Sequence, residues 1–339
     1  MVHFVGSIPG TDVEDVMRTI LSRTGTSVRS LPDGEIGERS RWIIPVVDSL
    51  SYHPDLEQVR FGGWRSYDDL PRYRIRRGHQ FDSAHIDLPQ SMMFEQAYPI
   101  FKRIRDQFGL AELSFQVGLP GDLDYALPTF GSIGGFRHRR PFAEALGRQM
   151  QAIHADGGDD VIFQLELPAE LVLMTRTPTP LRPIAAALLT RGVVALAQRA
   201  PAASRFGIHL CLGDNNHRSV VRLRNVKPLV HLVNALVARW PADRPLEFVH
   251  VPLAAADEPP SVSPRFYRAL RQLKLPAEVR FIAGLVHEDL DLDQLRGIRD
   301  LVEEQLGRQV DLAASCGLGR RSAEQADRTI DLARRLTDL

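Results

Sequence analysis

Arg205-Phe206-Gly207-Ile208-His209-Leu210-Cys211-Leu212 reads as a buried strand: a short apolar run, closed by the polar break Gly213-Asp214-Asn215. In an extended segment, residues i and i+2 project to the same side, so His209 and Cys211 face one way. The only other cysteine, Cys316, follows a second strand-like run, residues 310–314. An imidazole and two thiolates drawn from separate strands suit a soft, closed-shell ion such as Zn²⁺. The plain alternative is two buried cysteines packed as small hydrophobes.

Working outward, runs of the same kind recur, and we read eight: 3–8, 27–31, 113–117, 160–165, 205–212, 246–251, 279–286 and 310–314. Helical spacing fills the intervals at 13–23, 99–108, 142–155, 183–200, 226–239, 263–274 and 292–304, with a last helix over 322–337. Strands alternating with helices imply parallel strands joined by crossovers. Eight such units in 339 residues predict an α/β fold, a single (β/α)8 TIM barrel over residues 1–339. A doubly wound open sheet is the runner-up, although no Gly-x-Gly-x-x-Gly follows the first strand. Residues 42–94 are too many for a simple connection and predict an insertion after the second strand. With Trp64, Tyr67 and Tyr73 it could form an active-site lid, or it could be a packed structural excursion.

Composition narrows the function. The 44% hydrophobic content can build a substantial core. Lys+Arg and Asp+Glu balance at 42 each, so no global field favours nucleic acid or an anionic membrane. The basic clusters 72–77 and 137–140 lack interleaved aromatics and read as solvated loop charge, with a substrate-anion role open. We expect no secretory signal and no apolar run long enough to span a bilayer. Two cysteines fit a reducing, cytoplasmic setting. The exposed face of 322–339 could support a homodimer.

In a barrel, chemistry gathers at the C-terminal strand ends. Those ends read Gly6-Ser7-Ile8-Pro9; Asp33-Gly34-Glu35, with Glu38 and Arg39; and Gly118-Leu119-Pro120-Gly121-Asp122. Then come Gln164-Leu165-Glu166-Leu167-Pro168, His209-Leu210-Cys211, His250, His287-Glu288-Asp289 and Cys316. Val5-Gly6-Ser7-Ile8-Pro9, Gly34-Glu35, Gln164 to Ala169, His209-Leu210-Cys211, Val286-His287 and Cys316-Gly317-Leu318 keep the order of a known pattern. Together they resemble the catalytic C-terminal barrel of cobalamin-independent methionine synthase and related zinc thiol-alkyltransferases. The wider superfamily includes uroporphyrinogen decarboxylase.

The resemblance implies Zn²⁺ held by His209, Cys211 and Cys316. The family's glutamate ligand has no counterpart at the end of Leu246-Glu247-Phe248-Val249-His250-Val251-Pro252, so His250 is the expected replacement. Glu35 and Glu166 would hold a substrate ammonium and Ser7 its carboxylate, with Asp33 and Arg39 in the same pocket. His287 would be a general acid/base, alongside Glu166. Each has a plainer reading: Glu35 as a helix cap, Glu166 paired with an arginine, His287 as a hydrogen-bonded loop residue. The implied activity is zinc-dependent transfer of a methyl or alkyl group from a small donor to a small homocysteine-like thiol. The chain is one barrel long, without the second barrel that helps bind folate in full-length members, so it resembles the stand-alone relatives. Two other readings stay open. One is a metal-free lyase or decarboxylase, with Arg39, Arg41, Arg65, Arg137 and Arg139 holding an acidic substrate; the other is a barrel that only binds a ligand.

Overall fold

The computed structural model describes all residues except Trp42, 65–68 and Asn216, and all of their side chains except those of Glu38 and Asn215. Arg65, Tyr67 and the start of the expected insertion at Trp42 therefore lie outside the described residues. The first half of the chain runs α1 (Val13–Thr24), β1 (Ser30–Pro32), α2 (Ile43–Ser49), β2 (Leu56–Arg60), β3 (Arg72–Ile75), α3 (Gln90–Phe108), β4 (Ser114–Pro120), α4 (Asp122–His138) and α5 (Arg140–Gly157). It continues with β5 (Val161–Leu167), α6 (Pro168–Arg176), α7 (Arg182–Ala197), β6 (Arg205–Leu210), β7 (Asp214–Asn215), β8 (Arg218–Ser219), α8 (Lys227–Val237) and β9 (Leu246–Pro252). Last come α9 (Pro264–Tyr267), β10 (Arg280–Val286), α10 (Leu292–Leu306), β11 (Asp311–Ala314) and α11 (Ala323–Leu336).

Seven strands form one curled parallel sheet in the order β1-β4-β5-β6-β9-β10-β11. The α/β class and the barrel-like curl are as expected, but the sheet is a half-barrel of seven strands and not the closed eight-stranded barrel. Residues 3–8 are not an eighth strand. Val2 makes single parallel bridges to Val28, beside β1, and to Leu312 on β11, so the N-terminal segment lies between the two sheet edges. The carbonyls of Phe4 and Val5 accept from the Gln116 side chain at 2.8 and 3.0 Å, and that of Val5 also from Gln164 at 2.5 Å. Those acceptors go to interior amides rather than to a strand ladder.

Strand alternation sorts the core into two sets. Phe163, Leu165, Phe206, Ile208, Val249, Val251, Phe281 and Ala283 belong to the main core, which also takes in the helices. Ile162, Phe248, Ile282 and Ala313 form a small separate cluster on the other face of the sheet. Continuing each of those strands by two residues gives Gln164 and then Glu166 on β5, and His250 on β9. On β6, Gly207 is followed by His209 and then Cys211. The inner face thus passes from an apolar floor at Phe248 to polar groups at the strand ends. Gly207 is required there, because a Cβ on it would meet the Phe248 ring at 2.0 Å.

Local differences have local causes. Helix α3 begins at Gln90 and contains Pro99, which the pattern had suggested as the helix start. Helix α4, which no expected helix covers, carries Pro128 and three glycines; Gly131, at φ 73°, kinks it. The expected helix 263–274 is one short α-turn, α9, followed by a 3-10 turn at Arg268–Gln272. The 42–94 region holds α2 and the antiparallel β2–β3 hairpin. Its Leu56, Tyr73, Phe81, Ile86 and Leu88 join the main core. Contrary to expectation, one stretch, Thr179–Ala197, is apolar and long enough to cross a bilayer, with mean hydropathy 1.3. In this fold its α7 portion buries Ala186, Leu189, Val193 and Leu196 and packs against α8.

Gly207→Ala is expected to destabilise the protein by about 1–3 kcal/mol in urea unfolding, through overpacking against Phe248. Gly297→Ala on exposed α10, where a Cβ meets nothing within 4 Å, is expected to be neutral or to stabilise by up to about 1 kcal/mol.

Candidate metal centre

His209 lies near the end of β6 with Cys211 just beyond it, and Cys316 stands two residues past the end of β11. Parallel pairing through β9 and β10 brings these ends together. The two sulfurs are 3.6 Å apart, unbonded, and the Cys316 Sγ is 3.9 Å from His209 Nε2. All three donor atoms lie within 4.8 Å of one another. Zinc bonds of about 2.3 Å to sulfur and about 2.0–2.1 Å to nitrogen, at tetrahedral angles, would separate the sulfurs by about 3.8 Å and sulfur from nitrogen by about 3.6 Å. The donor set and its spacing fit such an ion.

Asp214 adds to the fit. Its side chain is 4% exposed, and neither carboxylate oxygen has a hydrogen-bond partner. It forms an ion pair with Arg320, whose Nη1 stands 3.6 Å from Asp214 Oδ2 and 3.8 Å from the Cys316 sulfur. Buried carboxylate oxygens without partners are costly unless a cation completes their surroundings. The hydrogen bond between the sulfurs, with local backbone N–H groups, lowers the Cys211 thiol, while the same bond and burial raise that of Cys316. The pair therefore gives up a first proton much more readily than a second.

His250 is not the fourth ligand expected. It is fully buried, its Nδ1 lies 2.7 Å from Nδ1 of His209, and its Nε2 lies 2.9 Å from the Ala314 carbonyl oxygen. Both ring nitrogens are occupied behind His209, on the side away from the thiols, because His250 is the register partner of His209 in the ladder.

Beside this centre is a cavity of about 270 Å³. Asp33, Glu35, Arg39 and Glu166 all line it, against apolar walls that include Phe94 and Phe115. Gly118 lets the two glutamates converge: a Cβ there would stand 2.9 Å from Glu35 Oε1 and 3.1 Å from Glu166 Oε1. Burial, and then the charge of Asp33, push the Glu35 carboxyl up to about 7. Burial, Glu35 and Cys316 raise Glu166 well above the ordinary range. Two acids this close and this dry favour a bound proton or cation between them. Asp33 accepts from the Glu35 N–H at 3.0 Å and pairs with Arg39. The backbone oxygen of Ser7 accepts from Leu318 and Gly319 N–H groups, and its hydroxyl packs on Gly317, which ties Ser7 to the Cys316 loop.

Both ring nitrogens of His287 are hydrogen-bonded to backbone groups. Its Nδ1 accepts from the Asp289 N–H at 3.2 Å and its Nε2 bonds the Ala256 carbonyl at 3.1 Å, so neither nitrogen is open for acid/base work. Next to it, Glu288 is held down at about 2 by His217 and Arg321 against the cost of its burial, a brace between the loops after β6, β10 and β11. Of the arginines considered for an acidic substrate, Arg39 is paired to Asp33 and Arg139 to Asp122, while Arg137 is on the surface. The sequence reading had not singled out Arg320. The only signal was an arginine four residues after Cys316.

No family model matches the chain, and no curated protein sequence matches it. Comparison of folds is informative. A Listeria monocytogenes protein provisionally described as a vitamin-B12-independent methionine synthase superposes with a TM-score of 0.58 at 14% identity, over 99% of this chain and 96% of its own. The B12-independent methionine synthase from Shewanella sp. W3-18-1, in complex with selenomethionine, gives 0.55 at 11% identity, over 95% of this chain and 85% of its own. The chain has the fold of methionine-synthase-like proteins.

Because the Glu35 carboxyl sits at about 7 in the folded protein against an ordinary 4.5, folding binds its proton more tightly. That stability is complete below pH 4.5 and is lost as pH rises through about 7. Glu35→Gln is expected to flatten the fall in unfolding free energy across this window, as read by urea titrations at stepped pH. Glu170, also raised to about 7, keeps part of the slope.

Proposed function

We propose that the chain is a zinc-dependent alkyltransferase acting on a small thiol, with its curled sheet serving as a (β/α)8 barrel whose first strand position is taken by the N-terminal segment. The observation that carries the reading is one imidazole and two free thiols at metal-edge spacing, beside a cavity walled by two converging carboxylates. His209, Cys211 and Cys316 would hold the ion, with the Asp214 carboxylate, paired with Arg320 at 3.6 Å, close by. Bound zinc would supply a thiolate nucleophile from the substrate thiol at neutral pH.

The chain's own residues would do the rest. Glu35 and Glu166 receive the substrate ammonium, which relieves their mutual repulsion and fixes the acceptor's orientation. An amino acid of the class bound by the Shewanella protein would meet this requirement. Asp33 and Arg39 neutralise each other and hold the Glu35 turn, where φ is 42°. The walls at Phe94 and Phe115 exclude water from the reacting carbon. In the transfer, a carbon–sulfur bond forms, the bond from that carbon to its leaving group breaks, and the thiol proton is released to solvent.

Zinc measured by elemental analysis tests the reading. About one ion per chain is expected in the parent, with loss in both Cys211→Ser and Cys316→Ser. Absence of zinc from the parent after reconstitution would contradict it and favour lyase chemistry in the same cavity.

A further inference from the structure

The two buried histidines behind the thiols form a directional chain of hydrogen bonds. The Ala314 carbonyl has no proton to give, so its 2.9 Å contact requires a proton on His250 Nε2. The His250 ring is fully buried and bonded to no carboxylate, a setting that keeps imidazole neutral. Its Nδ1 is then a lone-pair acceptor. The 2.7 Å contact between the two Nδ1 atoms therefore needs its proton on His209. A neutral His209 protonated at Nδ1 carries its lone pair on Nε2, the atom 3.9 Å from the Cys316 sulfur.

We propose that His250 is a positioning residue, which locks His209 in the Nδ1–H tautomer and aims its Nε2 lone pair at the cysteine sulfurs. The consequence for metal binding rests on the metal-centre reading above. The ring is held tightly in place: a Cβ on Gly284 would stand 2.7 Å from His250 Nε2. Ala314, the end of the relay, is two residues from Cys316, so the same two bonds tie the imidazole ligand to the loop that carries the second thiol. His250 thus takes a role one layer behind the one its place in the sequence suggested, and a ligand imidazole backed in this way is oriented and made more basic.

The tautomer is measured on metal-free, reduced, full-length protein by ¹⁵N NMR of labelled histidines, with His209 assigned by its loss in His209→Gln. A neutral ring protonated at Nδ1 is expected; an Nε2–H ring or an imidazolium at neutral pH would overturn the proposal. In His250→Leu, His209 should lose its single tautomer, and zinc affinity, from chelator competition, should fall about 10–100-fold. His250→Asn, which keeps an acceptor near the Nδ1 position, should lose less. Parent-like affinity in His250→Leu would overturn the role. If His250→Leu does not fold, the parent spectrum and His250→Asn still decide. If the parent binds no zinc, the metal-centre reading fails while the tautomer spectrum still judges the relay.

Discussion

The structure depends on keeping ionisable and polar groups satisfied inside a curled parallel sheet. Gln116 and Gln164 hold the N-terminal segment through the Phe4 and Val5 carbonyls, and Gln164 also bonds His3 at 3.0 Å and Glu166 at 3.1 Å. Glu166 is the register partner of His209, and His209 that of His250. One ladder thus carries the Glu166 carboxylate and the His209 and His250 imidazoles at the same height. A slip of one residue in β6 would turn His209 and Cys211 into the helical layer.

Charge balance at the mouth follows from that packing. The centre combines two thiols and an ion pair of Asp214 with Arg320, with Glu35 and Glu166 on its cavity side. Ionisable acids outnumber cations in this dry site, and a divalent ion and a substrate ammonium would both favour their charged forms. The apolar floor at Phe248 keeps water from reaching the polar groups from below.

Much of this was legible in the sequence. The run 205–212 declares both its strand and its same-side pair, and the glutamates at 35 and 166 meet at one cavity as the strand-end reading expects. What stayed hidden was orientation. An extended strand says that His250 lies on the inner face, but only the register with β6 and the position of Ala314 say that its nitrogens are spent on His209 and a carbonyl. His287 is similar, since its bonds go to Asp289 and Ala256 in loops that have no periodicity to read. The N-terminal segment has strand composition yet lacks a ladder, because side-chain amides more than a hundred residues further along the sequence take its carbonyls. Helix α4 was lost to its proline and glycines.

The central claim is that His209, Cys211 and Cys316 bind one ion together. Substituting Co²⁺ into the protein and recording its absorption spectrum tests this most directly. The account predicts intense thiolate-to-metal charge-transfer bands with tetrahedral d–d bands, the charge-transfer intensity roughly halved in Cys211→Ser and in Cys316→Ser. A weak, octahedral spectrum unchanged by either substitution would contradict it.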